Sequence, residues 1–180
     1  ILGILTQESN LGQNQGSCIL SSLETGDGVG KNTGTPFQQV MKAPRDTVPF
    51  QSITSRLGLD WKVTPVSCPL GKTYYVGRGF GGAMGPSQFI PSTWELFKNR
   101  IGQIVGIPAD QANPWDPEQA IMATALYLAD LGAGSGRYSA EIAAACRYYG
   151  TGGATCTYGQ QTMAKVTNIQ LNMIDPLLNN

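Results

Sequence analysis

The chain has 180 residues, 41% of them hydrophobic, and its 12 basic side chains balance 12 acidic ones, giving a net charge of zero. That length supports one domain with a sizeable core, the apolar content excludes a disordered chain, and neutrality removes the electrostatic footprint of a nucleic-acid binder. Charged residues are only 13% of the total, about half the usual share; Gly, Ser, Thr, Asn and Gln take their place, giving a neutral hydrogen-bonding surface that suits sugars and extracellular settings.

The opening ILGILTQES has a helical pattern in which positions 1, 4, 5 and 8 share one stripe. Ile1, Ile4 and Leu5 suit an apolar face; Glu8 does not. A carboxylate there loses water, and desolvation raises its pKa because the charged form suffers most. A carboxyl group kept protonated near neutral pH is what acid-catalysed bond cleavage needs. The competing reading is a buried Glu paired with an Arg or set at a helix end. The pattern begins without a capping residue, a basic n-region or a small-residue cleavage site. Residue 1 therefore reads as a truncation or processing point, which a signal peptide, an anchor or a further domain could precede.

Glycines crowd 26–34, 77–85 and 150–153, and these stretches are expected to be loops. Thr35-Pro36-Phe37-Gln38 offers an N-cap, a first-turn proline and a Gln to close a capping box, and predicts a helix start. Asp46 is placed to cap a helix running to about Leu57 and stopping at Gly58, with Pro49 tolerated in the first turn. The Val63–Val66 stretch is expected to pair with residues 72–76 (KTYYV) in a short β-hairpin. Pro91 opens a helix through about Ile101. Asp116-Pro117-Glu118-Gln119 combines cap, proline and N3 Gln ahead of a helix that Gly132 ends in a left-handed conformation. Ser139 is expected to cap a helix over 140–149 closing at Gly150, and Tyr158 to about Met173 forms the last long helix, amphipathic through Met163, Val166 and Ile169. The fold class is mainly α, a single domain over 1–180, with residues 10–79 as an inserted subdomain carrying its own helices and one disulfide. No apolar run approaches the ~20 residues of a membrane helix.

Cysteines stand at 18, 68, 146 and 156, with no CxxC and no histidine in the chain, so no zinc site is expected. An even count on Gly/Ser/Thr-rich loops reads as two disulfides and a non-cytosolic compartment. Of the three possible pairings, Cys18–Cys68 with Cys146–Cys156 is favoured; the latter closes a short loop worth about 2–3 kcal/mol.

Without histidine there is no Ser-His-Asp or Cys-His site. GKNTG at 30–34 and GRGFGG at 77–82 lack phosphate-loop spacing. The carboxylates remain, and with them the stretch GGAMGPSQFIPSTW at 81–94. Its glycines let backbone approach a ligand closely. Gln88 offers a donor and an acceptor, as sugar hydroxyls and amides demand. Met84 and Phe89 supply apolar surface, and Trp94 reads as core. Trp61 and Trp115 are candidates for sugar stacking or for core.

ESN at 8–10 followed by GAMGPSQFIPSTW at 82–94 resembles the lytic transglycosylases of bacterial peptidoglycan, most closely the membrane-bound B type. The resemblance runs along nearly the whole chain. It implies a lysozyme-like helical domain with Glu8 as the single catalytic acid/base, and Ser9, Gly82, Met84, Gly85 and Gln88 as substrate contacts. RYYGTGG at 147–153 meets the family's Tyr-Asn motif: Tyr148 matches the tyrosine, while Tyr149 stands where the family has an asparagine holding the substrate N-acetyl group. Gly79 stands in the region where the B type carries a serine. Tyr158 and its helix resemble the family's closing helix. The resemblance further implies a cell-envelope location, periplasmic or extracellular, a peptidoglycan glycan strand as partner, and no cofactor. Glycosidases ordinarily use two carboxyl groups; Glu24 and Asp27 are the only further candidates nearby in sequence. The alternatives are a goose-type lysozyme-like hydrolase and an inactive peptidoglycan-binding module.

Overall fold

The computed structural model describes residues 1–69 and 80–178. The chain is mainly helical with one small antiparallel sheet. Helix α1 (Leu2–Ser9) buries Ile4 and Leu5 and ends at Asn10 in the left-handed conformation. Strands β1 (Cys18–Leu20), β2 (Gly28–Gly30) and β3 (Pro36–Phe37) follow in the order β1-β2-β3.

The sheet corrects one expectation. Thr35–Gln38 opens no helix. Pro36 lies on an edge strand, where its missing N–H costs no ladder bond, and the Gly30 amide donates to the Thr35 carbonyl at 2.8 Å. Gln39 then turns the chain at φ 50°, which a helix does not allow. Asp27 holds the preceding turn, accepting from the Gln39 amide and the Thr25 hydroxyl at 2.8 Å each. Val66 pairs antiparallel with Cys18; the hairpin expected between 63–66 and 72–76, and Gly79, lie outside the described residues.

Helix α2 (Thr47–Arg56) has Asp46 at its N-cap position, but that side chain makes no cap bond. Asp46 is buried and takes Arg45 on one oxygen and the amide and hydroxyl of Ser92 on the other. A capping residue thereby joins the start of α2 to the start of α3 (Pro91–Val105), which runs past Ile101 to a left-handed Gly106. Helix α4 (Pro117–Asp130) opens as read, Asp116 accepting from the Gln119 amide at 3.0 Å, and Gly132 follows it at φ 96°. Helix α5 (Tyr138–Tyr148) begins before the expected cap: the Arg137 carbonyl accepts from Ala140 and Glu141, so Ser139 is already helical. Helix α6 (Thr157–Ile169) passes through a wide turn, Gln170–Ile174, into α7 (Asp175–Leu178).

The larger apolar cluster joins the sheet, α2, α3 and the segment after residue 80 through Leu20, Phe50, Met84, Phe89 and Trp94. Trp94 is fully buried, as expected of a core residue. Trp61 and Trp115 both pack against this cluster, Trp115 edge-on to Phe50. A second cluster joins α1, α4, α5 and α6 through Ile4, Leu128, Ala144 and Tyr158. Both favoured disulfides are present, Cys18–Cys68 and Cys146–Cys156, as suits a non-cytosolic compartment. No described helix is long and apolar enough to cross a membrane.

The two bridges close loops of unequal length, with sequence separations of 50 and 10. Removing Cys18–Cys68 by double alanine substitution should cost about 4 kcal/mol in urea denaturation, and removing Cys146–Cys156 about 3 kcal/mol.

Candidate active site

Glu8 reaches its position because α1 crosses α6 closely. A Cβ on Gly3 would stand 2.5 Å from Val166 Cγ2 and 3.1 Å from the Thr162 carbonyl, so a side chain there would force Val166 to move or the helices to part. Helix α6 in turn lies close against α5 at Gly159, where a Cβ would meet Cys146 Sγ at 2.6 Å. The crossing brings the last turn of α1 beside the first turn of α6, and the Tyr158 hydroxyl donates to Glu8 Oε1.

Burial raises the pKa of Glu8 above its ordinary 4.5, and the bond from Tyr158 opposes that rise only in part. Desolvation favours the neutral acid; a donor to the carboxylate favours the anion. Burial first, and then the Glu8 charge, hold both Tyr158 and Tyr148 well above the ordinary phenol value. These tyrosines therefore remain hydroxyl donors throughout the range in which Glu8 titrates.

Glu8 lines an open cleft of about 760 Å³, together with Gln7, Asn14, Gln88, Tyr149, Tyr158 and Gln161 among others. Gln7 Oε1 is buried with no hydrogen-bond partner. Glu8 is the only carboxylate among the described lining residues, and no lysine or arginine lies with it. Glu24 is exposed and Asp27 is spent on its turn, and neither lines the cleft. A smaller cavity of about 260 Å³ at the other end of α1 is mostly apolar, with Leu128, Met163 and Val166 on its wall.

Of the residues expected to contact substrate, Gln88 and Tyr149 line the cleft with Glu8, whereas Ser9, Gly82, Met84, Gly85 and Tyr148 are not among its lining residues. The physical reasons differ. Ser9 is buried; its hydroxyl donates to the Pro86 carbonyl at 2.6 Å and accepts from the Gly12 amide at 2.8 Å. The Tyr148 hydroxyl donates to the next carbonyl, Ser87 O, at 2.7 Å. Met84 is fully buried and pairs its backbone with Phe89. Gly82 (φ 80°) and Gly85 (φ 63°) are required by protein packing: a Cβ would meet Met41 at 3.0 Å and the Pro114 carbonyl at 1.9 Å. These residues build the turn that presents Gln88, which itself sits at φ 53°. A non-glycine residue in that region is held there only by its surroundings, and Gln88 Nε2 secures it by donating to the Gly85 carbonyl at 2.8 Å.

Sequence reasoning assigned no site role to Tyr158, Gln7, Asn14 or Gln161. Gln7 adjoins Glu8 and was accessible by neighbourhood. Tyr158 lies 150 residues from its partner, and no local pattern reports such a bond.

Comparison with protein-family models, curated proteins and solved structures gives no match.

Two outcomes follow from the geometry alone. Tyr158→Phe removes a donor to the carboxylate, so the Glu8 midpoint should rise further in a carboxyl-carbon NMR titration. Glu8→Gln should stabilise the protein at neutral pH. Below about pH 4.5 the acid is protonated in folded and unfolded chains alike, so the variant gains nothing there. The gain should grow as pH rises, levelling off above the folded midpoint at about 1.4 kcal/mol for each pH unit separating the two midpoints; urea denaturation across pH reads it directly.

Proposed function

We propose that this chain is a lytic transglycosylase with a lysozyme-like helical fold, acting on peptidoglycan in the cell envelope at the β-1,4 bond between N-acetylmuramic acid and N-acetylglucosamine. The observation that carries the reading is a single desolvated carboxyl, held by a phenol, in a cleft whose other described polar side chains are neutral amides and hydroxyls. Such a lining suits a polyhydroxylated, N-acetylated chain, which offers donors and acceptors without requiring a charged partner. The resemblance of ESN and GAMGPSQFIPSTW to the family motifs supports the same reading, and Ser9 Oγ on Pro86 O joins those two motifs in space.

In this mechanism Glu8 begins protonated. It gives its proton to the glycosidic oxygen as the C1–oxygen bond of the muramoyl residue breaks, and the N-acetylglucosamine leaves as an alcohol. The carboxylate left behind faces the oxocarbenium-like C1. Glu8 then removes the proton of the same sugar's C6 hydroxyl as that oxygen bonds to C1. The product ends in a 1,6-anhydro ring, no water is consumed, and Glu8 is again protonated. Tyr158 stabilises the anionic interval by donating to Oε1. Acid/base transfer supplies about 10²–10⁴-fold; orientation in the cleft supplies the remainder.

A goose-type hydrolase requires a group to activate water. No second carboxylate lines the cleft among the described residues, and residues 70–79 contain neither Asp nor Glu. This favours the sugar's own hydroxyl as nucleophile.

Digestion of purified murein sacculi followed by mass spectrometry tests the proposal. Anhydro ends, lighter than reducing ends by one water, are expected, with turnover reduced by at least about 10²-fold in Glu8→Gln. Reducing ends, or an active Glu8→Gln protein, would overturn it.

A further inference from the structure

Tyr149 follows the last residue of α5, and Tyr158 sits in the first turn of α6. Their rings stack at 4.7 Å between centroids with only 13° between planes. Tyr149 is 54% exposed, whereas Tyr158 is 9% exposed and bonded to Glu8. One face of the Tyr149 ring therefore covers the phenol that holds the acid. The Cys146–Cys156 bridge fixes this overlap: Cys146 lies in the last turn of α5, Cys156 occupies the N-cap of α6, and its sulfur accepts from the Gly159 amide at 3.2 Å. The Tyr149 hydroxyl plays no part in the stacking.

We propose that Tyr149 is a positioning residue, an aromatic cover whose ring keeps bulk water away from the Tyr158–Glu8 pair. The ring itself makes no hydrogen bond to the acid; it acts through Tyr158. The titratable groups facing Glu8 are Tyr158 from α6 and Tyr148 from α5. No charged side chain joins them in the described cleft wall. Among the described residues no counter-charge stands beside Glu8, burial is the first influence raising its midpoint, and removing the cover should lower that midpoint. The inference about free Glu8 stands on geometry; its consequence for cleavage rests on the function proposed above.

The test is a carboxyl-carbon NMR titration of Glu8 in the full chain without substrate, for wild type and for Tyr149→Phe, Tyr149→Leu and Tyr149→Ala. Tyr149→Phe should titrate as wild type. Tyr149→Ala should fall by about half a pH unit or more as water reaches the pair, with Tyr149→Leu between them. In murein cleavage, the alkaline limb of kcat/KM should move down by the same interval in Tyr149→Ala and stay in place in Tyr149→Phe. An unchanged or raised midpoint in Tyr149→Ala or Tyr149→Leu overturns the proposal, as does a Tyr149→Phe midpoint that falls as far as that of Tyr149→Ala. A lowered midpoint in a protein that cleaves no glycan supports the cover while refuting the enzymatic reading.

Discussion

The constraint on which the site depends is the burial of one carboxyl group with no cation beside it among the described residues. Taking an acid out of water is costly unless it is paired or neutral, and Glu8 has a phenol where a guanidinium would normally stand. A phenol satisfies one oxygen without fixing the charge. An arginine would hold the group ionised; bare apolar walls would push it neutral and leave it unsatisfied. The Tyr158 bond lies between these limits, and the acid can exchange its proton without losing its partner. The helix crossing at Gly3 and the α5–α6 contact at Gly159 bring that phenol within reach, and the second apolar cluster holds the crossing together.

The turn that carries Gln88 is organised around two consecutive carbonyls. Ser9 donates to Pro86 O and Tyr148 to Ser87 O, while the Ser87 hydroxyl reaches Ala120 of α4 and accepts from Thr124. One turn is thus tied to α1, α5 and α4 by hydroxyls alone, and the neighbouring Gly85 passes too close to Pro114 to carry a side chain. The strained backbone of Gln88 is the residue these ties support. The hydroxyl that follows Glu8 in sequence therefore ties the end of α1 to the turn that carries Gln88. Loss of any tie would act on the cleft through geometry before it acted through chemistry.

Most of the helical architecture was legible because helix ends carry local chemistry. Asp116 with Gln119, and the left-handed Gly132 and Gly150, are readable from neighbours in sequence. The failures share a cause. Thr35-Pro36-Phe37-Gln38 carries a helix signature, yet its backbone bonds go to Gly30 and the turn beyond it rather than to itself. Asp46 has the right residue at the right position, but Ser92 offers the buried carboxylate a better partner than its own helix does. In each case a long-range contact outweighs a local preference worth about 1 kcal/mol. In the site, Glu8 was legible as an acid on an apolar stripe, and Gln88 as a polar residue between apolar ones. The motif residues Ser9, Gly82, Met84, Gly85 and Tyr148 were identified as a group, but their spacing could not separate residues that line a cleft from residues that shape it. Tyr158 was illegible in its role, since nothing near it in sequence announces a carboxyl on another helix.

The sparse charge of the whole chain and the protonation of its one cleft acid are linked. A Coulomb interaction at about 4 Å is worth about 4 kcal/mol near a protein surface, enough to move a carboxyl midpoint by a few pH units in either direction. A lysine or arginine added to the wall would pull Glu8 down into the ordinary ionised range; a second carboxylate would push it up and bring coupled titration. The amides Gln7, Asn14, Gln88 and Gln161 bring no net charge to the described wall. The acid's proton affinity is then governed by solvent access and by the phenol. Both depend on where α6 begins, and the Cys146–Cys156 bridge, with Cys156 at the N-cap of α6, sets that point. A disulfide far from any bond-making atom is in this way connected to the acid: it seats one tyrosine on another, and the second tyrosine holds the carboxyl.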